Sequence, residues 1–116
     1  MQYSFELAQQ NLQQYWGYPN FRSGQDEVIQ SILEGKDTLV LFPAGGGKSL
    51  CYQVPATMFN GITLVISPLV ALMQDQVKQL NDRGISATFI NSTIPKFEVE
   101  QRLVNARNGM YRVWFK

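Results

Sequence analysis

The sequence predicts an α/β fold, a parallel sheet with helices on its faces. Three observations predict it. Short, nearly continuous apolar runs recur at 38–42, 62–67, 85–90 and 111–115, which is how strands buried on both faces read. Segments with apolar residues at helical spacing alternate with them, joined by short links. The first run empties directly into Phe42-Pro43-Ala44-Gly45-Gly46-Gly47-Lys48-Ser49, a strand followed by a glycine-rich turn and a helix start.

Phe5, Ala8, Leu12, Tyr15 and Trp16 recur at helical spacing and predict a first helix to about Tyr15. Gly17-Tyr18-Pro19-Asn20 breaks it. Ser23 is placed to cap a second helix, with Asp26 and Glu27 in the first turn, where carboxylates suit the helix dipole. Val28, Ile29, Ile32 and Leu33 give that helix one apolar face, and Gly35 ends it. Residues 38–42 read as a buried strand. A helix is expected from Lys48 to about Phe59, kinked or shortened by Pro55. Residues 62–67 read as a second buried strand.

Pro68 or Leu69 then opens a helix carrying Leu69, Leu72, Met73, Val77 and Leu80, stopped near Gly84. Residues 85–90 read as a third, weaker strand. Thr93 can cap a helix with Pro95 in its first turn; Val99, Leu103 and Ala106 share a face, and Gly109 stops it. Residues 111–115 read as a fourth, central-looking strand. An open parallel sheet cut there leaves apolar edge and face exposed. The expectation is an apparently incomplete sheet: residues 1–37 as leading helices, residues 38–116 as the α/β core.

The chain has 116 residues, 45% of them hydrophobic and 16% charged, an ordinary globular balance for one small domain. A formal net charge of +1 gives no support for nucleic-acid or membrane binding by bulk electrostatics. One cysteine, Cys51, and no histidine exclude an internal disulfide and a structural zinc site. General-base work at neutral pH would fall to carboxylates, lysines or water. No apolar run approaches the roughly 20 residues that span a bilayer. The start, Met1-Gln2-Tyr3-Ser4-Phe5-Glu6, lacks the form of a signal peptide, so an intracellular protein with no membrane partner is expected.

The chemistry of the glycine loop is specific. Glycines let the backbone turn tightly and bring several N–H groups to phosphate oxygens. The helix behind them presents its positive end to the anion. Lys48 places a full charge near the β and γ phosphates, and the Ser49 hydroxyl can bind Mg²⁺. Gly45, Gly46, Gly47, Lys48 and Ser49 supply all of this. The departure is Phe42, which stands where the strict pattern has glycine.

Several segments together resemble the amino-terminal part of the RecQ family of DNA helicases. They are Trp16-Gly17-Tyr18-Pro19-Asn20-Phe21-Arg22-Ser23-Gly24-Gln25, the run from Pro43 to Ala56 through the loop, the run Val65-Ile66-Ser67-Pro68-Leu69 to Val77, and Asn91-Ser92-Thr93. Their order and spacing fit over about Leu12 to Thr93. The resemblance implies a P-loop, RecA-like lobe that binds ATP with Mg²⁺. It implies that Tyr18 stacks on adenine, Gln25 reads its edge and Arg22 supports that pocket. An aromatic face and an amide with donor and acceptor suit those tasks. Lys48 would neutralise developing charge and Ser49 would hold the metal. Ser67, Pro68 and Leu69 would face single-stranded DNA, where free N–H groups at a helix start can take a phosphate. On residues alone, that segment is equally a plain capped helix start, and the helix behind it is read as core packing.

The resemblance also has gaps. Ala44 stands where the family usually has threonine, and Trp16 replaces phenylalanine. The family's Asp-Glu-Ala-His box, second motor lobe with its arginine finger, zinc-binding region and accessory DNA-binding domains have no counterpart in these 116 residues. Asp26-Glu27 and Asp75 do not stand in for the box. The leading expectation is therefore the ATP-binding portion of a 3′–5′ DNA helicase of repair or recombination, acting on single-stranded or partly duplex DNA through its parent protein. That places it in the nucleoid or the nucleus. As this chain alone it is expected not to turn over. A non-catalytic adenine-nucleotide module, a small-molecule kinase and a fragment without activity of its own stay open beside it, as does the oligomeric state.

Overall fold

The structure, a computed structural model, describes residues 3–42, 47–67 and 69–116. The chain forms two compact units, Met1–Met58 and Phe59–Lys116.

The first unit is helical. α1 (Phe5–Trp16) starts where the Ser4 hydroxyl accepts the Leu7 N–H at 3.1 Å, and stops where Gly17, at φ 77°, donates its N–H to the Gln13 carbonyl. α2 spans Gln25–Leu33. Its cap is Gly24, not Ser23 as expected. Gly24 sits at φ 90°, where a side chain would be strained, and the Gln25 side-chain oxygen accepts the Arg22 N–H at 2.8 Å to close the turn. α3 (Leu50–Met58) begins two residues later than expected and runs through Pro55. It packs against both other helices. Ala8 and Leu12, Val28, Ile29 and Leu33, and Cys51, Val54, Ala56 and Met58 form the buried set. One polar tie joins the layers: Asn11 donates to the Thr57 hydroxyl at 2.9 Å, and that hydroxyl donates to the Val54 carbonyl at 2.6 Å. Burial pushes the Cys51 thiol above its usual range, so it packs as a small apolar side chain.

The expected strand at 38–42 is not one. Those residues join no ladder, and Leu39 and Leu41 are each 85% exposed. A buried parallel strand needs backbone partners, and among the described residues every regular element of its own unit is a helix. The Thr38 hydroxyl instead bonds the Ser31 hydroxyl at 2.8 Å and donates to the Lys36 carbonyl at 3.1 Å.

The second unit carries the sheet. β1 (Thr63–Val65), α4 (Val70–Asp82), β2 (Ala87–Phe89), α5 (Lys96–Arg107) and β3 (Val113–Phe115) follow in order. The three strands are parallel in the order β1-β3-β2, with Thr63 and Ala87 flanking Val113, and Val65 and Phe89 flanking Phe115. Helical crossovers are what parallel neighbours require. The expected fold class, a parallel sheet with flanking helices, is thus present, with three strands among the described residues instead of four. β3 is central, as its apolar run implied, and all three of its residues are buried.

α4 packs on β2 and buries Met73, Val77 and Leu80. Leu72, expected in the core, is 49% exposed, because the face that meets the sheet is narrower than the apolar stripe. α5 starts after Pro95, not at a Thr93 cap, and buries no residue. The Thr93 N–H instead goes to the Asn91 side-chain oxygen at 2.9 Å. Arg102 anchors α5: its guanidinium lies 4.9 Å from the Phe89 ring centre, donates to the Phe89 carbonyl and pairs with Glu98 at 3.3 Å. Leu64 and Ile66 on the β1 edge remain 58% and 71% exposed. Among the described residues, no helix is long and apolar enough to cross a membrane.

Candidate nucleotide-binding site

The site lies within the first unit. Gly17 ends α1 by turning left-handed, and that turn delivers Tyr18-Pro19-Asn20 as a short wall. Tyr18 is half exposed, as a platform for a flat ligand must be. Arg22 and Gln25 follow at the start of α2, and Gly47 and Leu50 approach from the start of α3. Together Tyr18, Pro19, Asn20, Arg22, Gln25, Gly47 and Leu50 line a cavity of about 300 Å³, the lower end of the range for small-molecule sites. Three of the residues singled out in the sequence for base recognition, Tyr18, Arg22 and Gln25, therefore share one cavity with the last glycine of the phosphate loop.

Gln25 is 1% exposed. Its side-chain oxygen accepts the Arg22 N–H at 2.8 Å, and its Nε2 donates to the Gly47 carbonyl at 3.0 Å. An amide offers two N–H groups and two lone pairs, so among the described residues one of each is uncommitted. Gly47 sits at φ 77°, and a Cβ there would fall inside contact distance of Gln25 Nε2. Gly24 is similarly confined: a Cβ would lie 3.2 Å from the Phe42 ring.

Lys48 is exposed. The Lys48 carbonyl accepts the Cys51 N–H at 3.1 Å, and the Ser49 carbonyl accepts those of Tyr52 and Gln53 at 3.3 and 3.0 Å. Both residues thus sit at the positive end of α3, whose first N–H groups have no partner inside the helix. Burial pushes the Tyr52 phenol up, opposed by smaller effects of hydrogen bonds with Gln53 and Ser49. Gly45 and Gly46, also singled out, lie outside the described residues, as does Pro68.

The other singled-out residues, Ser67 and Leu69, belong to the second unit. The Ser67 hydroxyl accepts the Leu69 N–H at 3.1 Å. The Ser67 N–H extends the ladder to the Lys116 carbonyl at 2.9 Å. The Leu69 amide is therefore committed locally, and the N–H groups at the start of α4 belong to Val70 and beyond. Leu69 and Val70 are 56% and 40% exposed.

A larger hollow of about 510 Å³ lies along Phe5, Asp26, Glu27, Gln30, Ser31, Glu34 and Lys36. Three carboxylates against one ammonium make it repel a polyphosphate. The smaller cavity, whose one charged lining residue among the described residues is Arg22, has the right sign. Sequence reasoning missed the ring of Phe42 on Gly24 and the bond from Gln25 to Gly47. The only signal for the first was the bulky residue in a position that the strict pattern gives to glycine.

A family model for DEAD/DEAH box helicases matches residues 22–109, most of the chain and all of the loop. The chain belongs to the DEAD/DEAH box helicase family. Within it, the chain is 50% identical over 109 residues to the ATP-dependent DNA helicase RecQ of Bacillus subtilis, covering 93% of this chain and 18% of that protein. It is 53% identical over 94 residues to RecQ of Haemophilus influenzae, covering 81% and 15%. It is 39% identical over 104 residues to the ATP-dependent helicase wrn-1 of Caenorhabditis elegans, covering 90% and 10%. The resemblance to RecQ helicases read from the residues is borne out. The chain spans less than a fifth of the length of these relatives.

Proposed function

We propose that this DEAD/DEAH box family chain is the ATP-binding portion of a RecQ-like, ATP-dependent DNA helicase. The observation that carries the proposal is the single cavity uniting Tyr18, Arg22 and Gln25 with Gly47. Its chemistry fits an adenine nucleotide. Tyr18 offers a stacking face, and the spare N–H and lone pair of Gln25 match the donor and acceptor on an adenine edge. Arg22 supplies positive charge at the cavity wall. Gly45, Gly46 and Gly47 would let backbone N–H groups approach phosphate, and Lys48 would hold the β and γ phosphates by charge.

Bound ATP supplies the free energy of γ-phosphate transfer. What this chain contributes is orientation and charge, which is most of what phosphoryl transfer asks of a protein. Ser49 would give one oxygen to Mg²⁺. Phosphate oxygens and water would be among its other ligands, as is usual for this ion. Ser67, Pro68 and Leu69 would meet a single strand through the start of α4. The DNA substrate, and with it repair or recombination in a nucleoid or nucleus, belongs to the same proposal. So does the division of labour between residues 1–37, which present the base pocket, and 38–116, the phosphate-loop core.

The 116 residues contain no Asp-Glu-Ala-His run, the group to which the family resemblance assigns the activation of water against the γ phosphate. The chain by itself is therefore expected to bind ATP without appreciable turnover or unwinding. Phosphate release measured with and without single-stranded DNA tests this. Background rates in both are expected; robust DNA-stimulated turnover abolished by Lys48→Ala would contradict it.

A further inference from the structure

We infer that the outer edge of β1 is a self-association surface, where a second copy of this chain pairs antiparallel, β1 against β1. The described sheet has two outer edges, because β3 lies between β1 and β2. An edge strand offers a row of backbone N–H and C=O groups to any other strand, and folded chains usually blunt it. Here the two edges differ.

At β2 the edge is closed. The Ser86 carbonyl accepts the Arg112 and Val113 N–H groups, and the Ile90 N–H donates to the Phe115 carbonyl. Residues 86 and 90 thus turn toward β3, and alternation turns Ala87 and Phe89 outward. The Asn81 side chain caps both outward groups of Ala87: its oxygen accepts the N–H at 2.9 Å, and its Nδ2 donates to the carbonyl at 3.3 Å. The Phe89 carbonyl accepts from the Arg102 guanidinium.

At β1 the edge is open. The Thr63 and Ser67 N–H groups donate to the Arg112 and Lys116 carbonyls at 2.8 and 2.9 Å, and the Val65 carbonyl accepts the Lys116 N–H at 2.9 Å. Alternation therefore turns the backbone groups of Ile62, Leu64 and Ile66 away from β3, and no cap meets them among the described residues. Their side chains share one face and are 45%, 58% and 71% exposed. From Gly61 to Ser67 there is neither a charge nor a proline, the two residue types that keep edges apart.

A second copy fits this edge because the edge is self-complementary. Antiparallel pairing about Leu64 sets Leu64 opposite the partner's Leu64 and Ile62 opposite the partner's Ile66. Each outward N–H then meets a carbonyl, and the apolar rows join across a two-fold axis. A net charge of +1 opposes the approach little. The contact is small beside the about 800 Å² per partner of a standard interface, so a weak dimer is expected, with a dissociation constant of roughly 10–100 µM.

Sedimentation of the full chain, from well below to well above that constant, is expected to show monomer passing reversibly to dimer. Leu64→Lys puts a charge on the edge and spares the ladder to β3. It is expected to weaken association at least about 10-fold, with the thermal midpoint of the dilute chain unchanged. Leu64→Pro, which removes the outward N–H, is expected to act likewise. Hydrogen exchange needs no variant: the Leu64 and Ile66 amides are expected to slow as the chain is concentrated, while the Val65 amide, which faces β3, keeps its rate. If both variants fail to fold, this exchange decides alone. A monomer throughout, with Leu64 exchange independent of concentration, would overturn the inference, as would a dimer that withstands both variants. A dimer dissolved by Leu41→Lys and not by Leu64→Lys would make the exposed segment 38–42 the joining element, and would equally overturn it.

Discussion

Phe115→Ala is expected to destabilise the second unit by about 3–5 kcal/mol, the range for deleting a fully buried aromatic side chain. Phe115 is 0% exposed. It sits in the central strand, paired in register with Val65 on one side and Phe89 on the other. Removing the ring leaves a void that the two neighbouring strands cannot both close toward, because interiors are packed too tightly to flow. Small domains have only about 5–15 kcal/mol in total, so the loss takes a large share. Urea unfolding followed by Trp114 fluorescence measures it, since Trp114 is the adjacent residue and is itself buried. A midpoint within error of the unaltered chain would mean that β3 does not anchor the sheet.

The second large effect is on binding. Lys48→Ala is expected to weaken ATP about 10- to 100-fold, the equivalent of one charge-assisted hydrogen bond of about 1.5–3 kcal/mol. Lys48 is exposed and takes part in no ion pair among the described residues, so the thermal midpoint should not move. The loss should be equal for GTP, because the two nucleotides share their phosphates. That separates Lys48 from Gln25, whose replacement should weaken ATP more than GTP. A Lys48→Ala chain that binds ATP as well as before would remove the phosphate loop from the account.

How much of this was legible beforehand depends on how local the cause was. Gly17, Gly35 and Gly84 stop helices through their own backbone conformation, at φ 77°, 81° and 85°, and each stop was readable from the sequence. The pattern 62–67, 85–90 and 111–115 announced the parallel sheet because full burial on both faces is written into composition. Residues 38–42 carry the same signal, yet form no strand: a ladder is a property of pairs, and apolar character cannot say whether a partner is at hand. The same limit explains Leu72, since helical spacing marks a stripe without marking how wide the contact is. Ser23 lost the cap to Gly24 because the left-handed turn, not a hydroxyl, starts α2.

At the site, residue types and spacing named Tyr18, Arg22, Gln25 and the loop. They could not show that Gln25 reaches Gly47, 22 positions along the chain, or that Phe42 rests on Gly24. Both are close approaches that exist only once α2 and α3 are packed.

The central claim is that the first unit holds an adenine nucleotide between Tyr18, Gln25 and the phosphate loop. Titrating the chain with ATP and then with GTP in a calorimeter, with Mg²⁺ present, tests it most directly. One saturable site is predicted, with ATP bound at least about 10-fold tighter than GTP, because a site built around specific amide hydrogen bonds leaves them unpaired with the wrong base. No saturable heat with either nucleotide, or equal affinity for both, would contradict it.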